Sequence, residues 1–218
     1  MKTIKISPSI LGVNKKDLIS VCDSLTSSGA SYIHVDVMDG KFVDNTSFID
    51  GEIDILSNCV QDDILDVHLM CYDLEHVIPL YAKKHVKYIS IHVESENIDQ
   101  LIKCAELIRS FDIMPGIVIN PDTDIHKILP LLKYFDLVLV MSVFPGKGGQ
   151  TFIENSVEKI SMLDNYRKKH NLGYQIEVDG GINKFTASIC KDKGVDILVA
   201  GSYILKSENY KERIKSLL

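Results

Sequence analysis

Apolar, β-branched runs recur roughly 25 to 30 residues apart, and most are separated by stretches of helical period, which predicts an α/β protein built as a single (β/α)8 TIM barrel. Polar residues gather at the C-terminal ends of several of these runs, the rim where such barrels carry their chemistry. The first run also lacks the Gly-rich turn that an open, doubly wound sheet uses, so closure is the economical solution. No linker-like interruption appears, and one domain over residues 1–218 is expected.

The elements follow in order. Residues 4–10 begin as a short strand stopped by Pro8, with Ser7 and Ser9 at its end. Leu18, Val21, Cys22 and Leu25 keep helical spacing, and Gly29 ends that helix. The second strand is Tyr32 to Asp39, closed by Gly40; the long polar loop over 38–50 reads as a cover for a site. A weak helix near 53–56 leads to a strand over 64–70, and a helix over 74–81 carries Pro79, which argues for a kink or an early end. A strand over 88–94 precedes the clearest amphipathic helix, marked by Ile98, Leu101, Ile102, Ala105 and Ile108. A strand over 114–120, a short helix over 125–132 and a very apolar strand over 137–143 come next. A helix over 157–169, a strand over 174–178, a helix over 186–191, a strand over 197–200 and a closing helix ending at Leu218 complete the alternation.

The second strand is the centre of the arrangement. Period-two alternation sends Ile33, Val35 and Val37 one way and His34, Asp36 and Met38 the other. The strand over 64–70 repeats the pattern with Asp66, His68 and Met70, and the one over 174–178 ends in Asp179. If the strand ends converge, His34, Asp36, His68 and Asp179 form a nest of two imidazoles and two carboxylates suited to one divalent cation, with zinc, iron, manganese and cobalt all compatible. Taken singly, each histidine reads as a hydrogen-bonded rim residue; the joint occurrence points to a site. His92 and Glu94 share a face on the next strand and read as hydrogen-bond partners, as does Glu177.

Glycine stretches follow the last three strands: Gly146, Lys147, Gly148 and Gly149, then Gly180 and Gly181, then Gly201 and Ser202. One such stretch is an ordinary tight turn. Three in succession at one rim suit a phosphate, because glycine lets backbone N–H groups approach an anion without a Cβ in the way.

Composition sets the outer limits. A formal net charge of -6 argues against nucleic acid or an anionic membrane as partner, and no segment has the length of a membrane span. Cys22, Cys59, Cys71, Cys104 and Cys190 show no paired spacing and read as reduced thiols, so a cytoplasmic protein is expected.

Taken together, Ser7-Pro8-Ser9-Ile10-Leu11, His34 to Gly40, Asp66 to Met70, Met141-Ser142-Val143, Pro145-Gly146 with Gly148-Gly149-Gln150, and Val178 to Ile182 resemble the ribulose-phosphate 3-epimerase family over nearly the whole chain. The resemblance implies Asp36 and Asp179 as acid and base, His34, Asp36, His68 and Asp179 as metal ligands, and Ser7 as a substrate contact. It implies that Met38, Met70, Met141 and His68 surround the reacting centre. Gly146, Lys147, Gly148, Gly149, Gly180, Gly181, Gly201 and Ser202 would hold the phosphate of a small sugar phosphate, in a homo-oligomer. The implied reaction is interconversion of D-ribulose 5-phosphate and D-xylulose 5-phosphate; a D-allulose 6-phosphate epimerase or a non-catalytic sugar-phosphate binder are the alternatives. Lys41, Asp44 and Lys147 depart from the family's usual pattern and bear on the choice of sugar more than on the reaction class. An orotidine-phosphate type of decarboxylase is disfavoured because Met38 stands where its lysine should be, and a Schiff-base aldolase because no lysine falls within an apolar strand.

Overall fold

A computed structural model describes residues 3–49, 51–60 and 62–218. Strands β1 (Lys5–Ser7), β2 (Ile33–Asp39), β3 (Thr46–Ser47), β4 (Leu65–Met70), β5 (Val86–His92), β6 (Met114–Ile119), β7 (Leu137–Met141), β8 (Gln175–Asp179) and β9 (Ile197–Val199) form one sheet in the order β1-β9-β8-β7-β6-β5-β4-β2-β3. Every pairing is parallel except that of β3, which folds back antiparallel on Met38 and Asp39. The loop expected to cover a site therefore starts as an extension of β2.

The two ends of this order meet. Ser31 and Tyr32 donate backbone N–H groups to Ile6 O (2.8 and 3.2 Å), His34 donates to Pro8 O (3.0 Å), and Ile10 donates to His34 O (3.1 Å). Ser9 forms a parallel bridge with His34, and the barrel is closed along a seam shorter than the other ladders.

The helices are α1 (Leu18–Ser27), α2 (Glu52–Cys59), α3 (Leu74–Tyr81), α4 (Ile98–Arg109), α5 (Ser156–His170), α6 (Lys184–Asp192), α7 (Ser202–Leu205) and α8 (Tyr210–Lys215). Their starts are chemically marked in several cases: the Asn97 side chain accepts from Gln100 N, and Asn183 and Thr186 form a reciprocal capping box at α6. Pro79 sits inside α3, where it cannot donate to the preceding turn, and the helix ends two residues later at Tyr81. The helix expected over 125–132 is absent. In its place are two 3-10 turns, Ile125–Lys127 and Leu132–Tyr134, because Pro130 cannot donate to the preceding turn and its residue before is pushed out of the helical region.

The core has two sides. Outward residues such as Val35, Val37, Val67, Leu69, Ile89, Ile91, Val140 and Val178 are buried beneath the helices in one continuous apolar cluster. Inside the barrel, Tyr32, Tyr88, Leu137 and Ile197 close one end, with Tyr32 and Tyr88 edge to face at 5.5 Å. Above them the interior turns polar: Ser7, His34, Asp66, His68, Ser90, His92 and Glu177 are all fully buried. Burying that many polar groups is unfavourable unless they pair with one another or with a ligand, so this interior is where function belongs. The cysteines are free thiols, and among the described residues no helix is long and apolar enough to cross a membrane.

Candidate active site

The parallel register of β2 and β4 sets His34 beside Asp66, Asp36 beside His68 and Met38 beside Met70. On the other side of the seam, β8 brings Asp179 level with Met141 of β7 and Val199 of β9. The four side chains expected to share a cation do come together: His34, Asp36, His68 and Asp179 each offer a ligand atom within 4.8 Å of the others. This cluster could hold a metal ion.

Two buried carboxylates control the histidines. His34 Nδ1 lies 2.7 Å from Asp66 Oδ2, which also accepts from Ser7 Oγ (2.9 Å). A carboxylate can only accept, so His34 carries a proton on Nδ1, and its buried Nε2 has no hydrogen-bond partner. That nitrogen lies 3.4 Å from Asp36 Oδ1, and His68 Nδ1 lies 3.2 Å from the same oxygen. Asp36 Oδ2 accepts from Ser9 Oγ at 2.7 Å. An orphaned imidazole nitrogen aimed at a carboxylate, with a carboxylate behind its other nitrogen, is the donor set and support that a divalent cation uses. The residues present therefore fit the group. A second, fully buried grouping joins His34, Asp66 and Glu177, and there His34 Nδ1 and Asp66 Oδ2 are already engaged with each other.

Environment separates the two candidate acid/base groups. Burial works to raise the Asp36 carboxyl, but the charge of the neighbouring His34 outweighs it and holds it far below the carboxylate range. Burial first, and then the charge of Asp36, push Asp179 up to about 7. Glu177, buried beside Asp66, is raised well above the ordinary glutamate value. His34 is raised well above the usual imidazole value: burial opposes this, and Asp66 and Asp36 prevail.

These carboxylates open into a cavity of about 710 Å³. Met38, Met70 and Met141 line it beside Asp36 and Asp179, and Gly146, Lys147, Gly148, Gly149, Gly180, Gly181, Gly201 and Ser202 line its far part. Gly180 and Gly181 have φ of +120° and +63°, and a Cβ on either would fall within 3 Å of Val143 or Phe152, so only glycine lets the β8 turn pack there. Two expected contacts lie elsewhere. Ser7 is fully buried below the cavity and gives its hydroxyl to Asp66, while Ser9, two residues on, lines the cavity. His68 is likewise fully buried and is not among the residues that line the cavity. Lys206 joins Lys147 as a second cation at the cavity wall, a position that nothing in the periodicity of the closing segment signals.

Residues 5–205 match the model of the ribulose-phosphate 3 epimerase family. The chain belongs to that family. Its relatives include the chloroplastic ribulose-5-phosphate-3-epimerase of Arabidopsis thaliana, 39% identical over 98% of this chain and 76% of the plant protein. The ribulose-phosphate 3-epimerase of Helicobacter pylori strain J99 is 39% identical over 98% and 96% of the two chains, and that of Bacillus subtilis 37% identical over 98% of each. Among solved structures the fold is similar to 3-keto-L-gulonate-6-phosphate decarboxylase from Vibrio cholerae, with a TM-score of 0.73 at 12% identity over 100% of this chain and 96% of the other. A mutant tryptophan synthase α-subunit from Pyrococcus furiosus matches with a TM-score of 0.69 at 13% identity, over 99% and 97% of the chains. At those identities the likeness speaks for the barrel alone.

Proposed function

We propose that this chain epimerises D-ribulose 5-phosphate and D-xylulose 5-phosphate at C3, with Asp36 and Asp179 as the two acid/base groups. The observation that carries this reading is a pair of carboxylates, Asp36 from β2 and Asp179 from β8, that meet in one cluster with two histidines and line one cavity. Inverting a carbon beside a ketone needs a base to take a proton from one face and an acid to return one to the other. Asp36 takes the C3 proton, the electron pair moves into the adjacent carbonyl to give an enediolate, and Asp179 delivers its proton to C3 from the opposite side. In the reverse direction the two exchange roles. Ser9, donating to Asp36 Oδ2, and His68 beside Oδ1 fix the orientation of the base.

A free aspartate is a weak base for a carbon acid, so the charge that develops on the substrate oxygens must be stabilised. When bound, a divalent cation held by His34, Asp36, His68 and Asp179 supplies that stabilisation as a Lewis acid. Met38, Met70 and Met141 give the reacting centre an apolar wall that keeps water away. The glycine turns, with Lys147 and Lys206, receive the phosphate. The names of the relatives favour a pentulose phosphate over the hexulose alternative.

The test is turnover of ribulose 5-phosphate against allulose 6-phosphate, with and without chelator, followed in deuterated solvent. Deuterium entering C3 during turnover is the expected result. Binding of the sugar phosphate without exchange would identify a sensor instead of an enzyme.

A further inference from the structure

His68 has two nitrogens and two neighbours. Its Nδ1 faces Asp36, and its Nε2 lies 2.8 Å from His92 Nε2, the two rings lying end to end with centroids 5.0 Å apart and planes 28° apart. On the far side of His92, Nδ1 lies 3.0 Å from Glu94 Oε2. The other oxygen of Glu94 accepts from Asn120 N (2.9 Å) and from Thr123 Oγ1 (2.5 Å). Both histidines are fully buried, and the Phe42 ring covers His92 at 4.6 Å. No water-facing nitrogen is available to relax the arrangement.

Donor and acceptor roles are then forced inward from Glu94. A carboxylate accepts only, so neutral His92 carries its proton on Nδ1 and presents a lone pair at Nε2. Two nitrogens 2.8 Å apart need one proton between them, so His68 supplies it from Nε2. The His68 Nδ1 lone pair is left pointing at Asp36. Lone pair against carboxylate at 3.2 Å repels unless a cation lies between the cluster's ligands.

We propose that Glu94 is a positioning residue which, through His92, fixes the proton of His68 on Nε2 and so keeps Nδ1 as a metal-ligating lone pair. The inference rests on the cation site of the proposed epimerase. It extends the support of that site two residues outward from His68, as Asp66 supports His34 from one residue away.

Glu94→Gln tests it without changing side-chain shape. The backbone N–H of Asn120 can only donate, so the glutamine oxygen stays on that side and its NH2 turns to His92 Nδ1. His92 must then accept there and donate from Nε2, and the His68 proton moves to Nδ1. Histidine ¹⁵N spectra of the metal-free chain should show His68 protonated at Nε2 in the unmodified protein and at Nδ1 in E94Q. The dissociation constant for Zn²⁺, from chelator competition, should rise about 10- to 100-fold in E94Q. Thr123→Val removes an anchor of the neighbouring loop but leaves the carboxylate, and should keep both the ¹⁵N pattern and the Zn²⁺ affinity. Unchanged spectra and affinity in E94Q overturn the relay while leaving the epimerase reading intact. Equal loss of affinity in Thr123→Val also overturns it, because Glu94 would then act through the loop. An unmodified chain that takes up no Zn²⁺ removes the metal site itself, and the relay falls with it.

Discussion

Asp36 and Asp179 illustrate how two identical side chains become different reagents. Asp36 has Ser9, His34 and His68 around it, whereas Asp179 is pressed towards the charge of Asp36 itself. Replacing either by Asn should lower kcat by about 10²- to 10⁴-fold, the usual worth of a positioned acid or base, with loss of C3 deuterium exchange in the same variants. Retention of near-normal turnover by either variant contradicts the assignment. Asp179 also makes a stability prediction. Burial and the charge of Asp36 raise its folded-state pKa from the ordinary carboxylate value to about 7, so the folded state binds the proton more tightly than the unfolded chain. Its favourable contribution is thus complete below about pH 4 and is lost as pH rises towards 7, at on the order of 1.4 kcal/mol per unit. In chelator, D179N should therefore gain on the unmodified protein by a few kcal/mol between pH 4 and pH 8 in urea titrations. An unchanged difference across that range would show that Asp179 ionises freely. Residue identity and face were legible in the sequence, since alternation alone put His34, Asp36 and His68 inside. Depth was not. Ser7 and Ser9 share a parity, yet one sits below the cavity and the other lines it, because period two fixes the side of a strand and not the height along the barrel axis.

At the scale of strands and turns, the barrel interior depends on positions where no side chain fits. An ideal Cβ on Gly116 of β6 would sit 2.1 Å from Ser90 Oγ on β5, in a ladder where the two residues are direct partners. Gly116→Ala should cost about 1–3 kcal/mol in denaturant unfolding, the usual effect of overpacking. In a Ser90→Gly background the same change should cost at least about 1 kcal/mol less, since the atom it strikes is gone. Equal costs in both backgrounds would place the strain elsewhere. Element boundaries were largely legible where apolar runs carry them, as in the helix from Ile98; α6 begins at Lys184, two residues before its expected start, because the Asn183 and Thr186 capping box sits ahead of its apolar positions. Two segments differ: the closing helix expected to end at Leu218 is two short helices, α7 and α8, the last ending at Lys215, and between β6 and β7 Ile125, Ile128 and Leu132 keep an apolar spacing that suggests a helix. Pro130 within it overrides the spacing, and the side chains reach the core from 3-10 turns instead.

For the molecule as a whole, the seam between β1 and β2 is the weak line. It has a single bridge and a handful of backbone bonds, where β2 and β4 share six register pairs. Two buried side-chain bonds, Ser7 to Asp66 and Ser9 to Asp36, already cross it. The candidate cation site crosses it again: His34, Asp36 and His68 come from β2 and β4 on one side, and Asp179 from β8 on the other, with β9 and β1 between. Binding there should brace the closure, because a ligand held only by the folded state adds about 2.7 kcal/mol at a concentration a hundred times its Kd. For a chain of this size each kcal/mol raises Tm by about 2–4 °C, so a divalent cation should lift Tm by roughly 5–10 °C and chelator should remove the gain. The effect should be local as well as global. Amide hydrogens of Ile10 and His34, which donate across the seam, should exchange faster in chelator than those of Val138 and Val140 on the far side of the barrel. The double variant D36N/D179N should show neither the Tm gain nor the cation-dependent protection. A Tm indifferent to cation, or slowed exchange spread evenly around the barrel, would mean that the four side chains do not join the two sides of the seam.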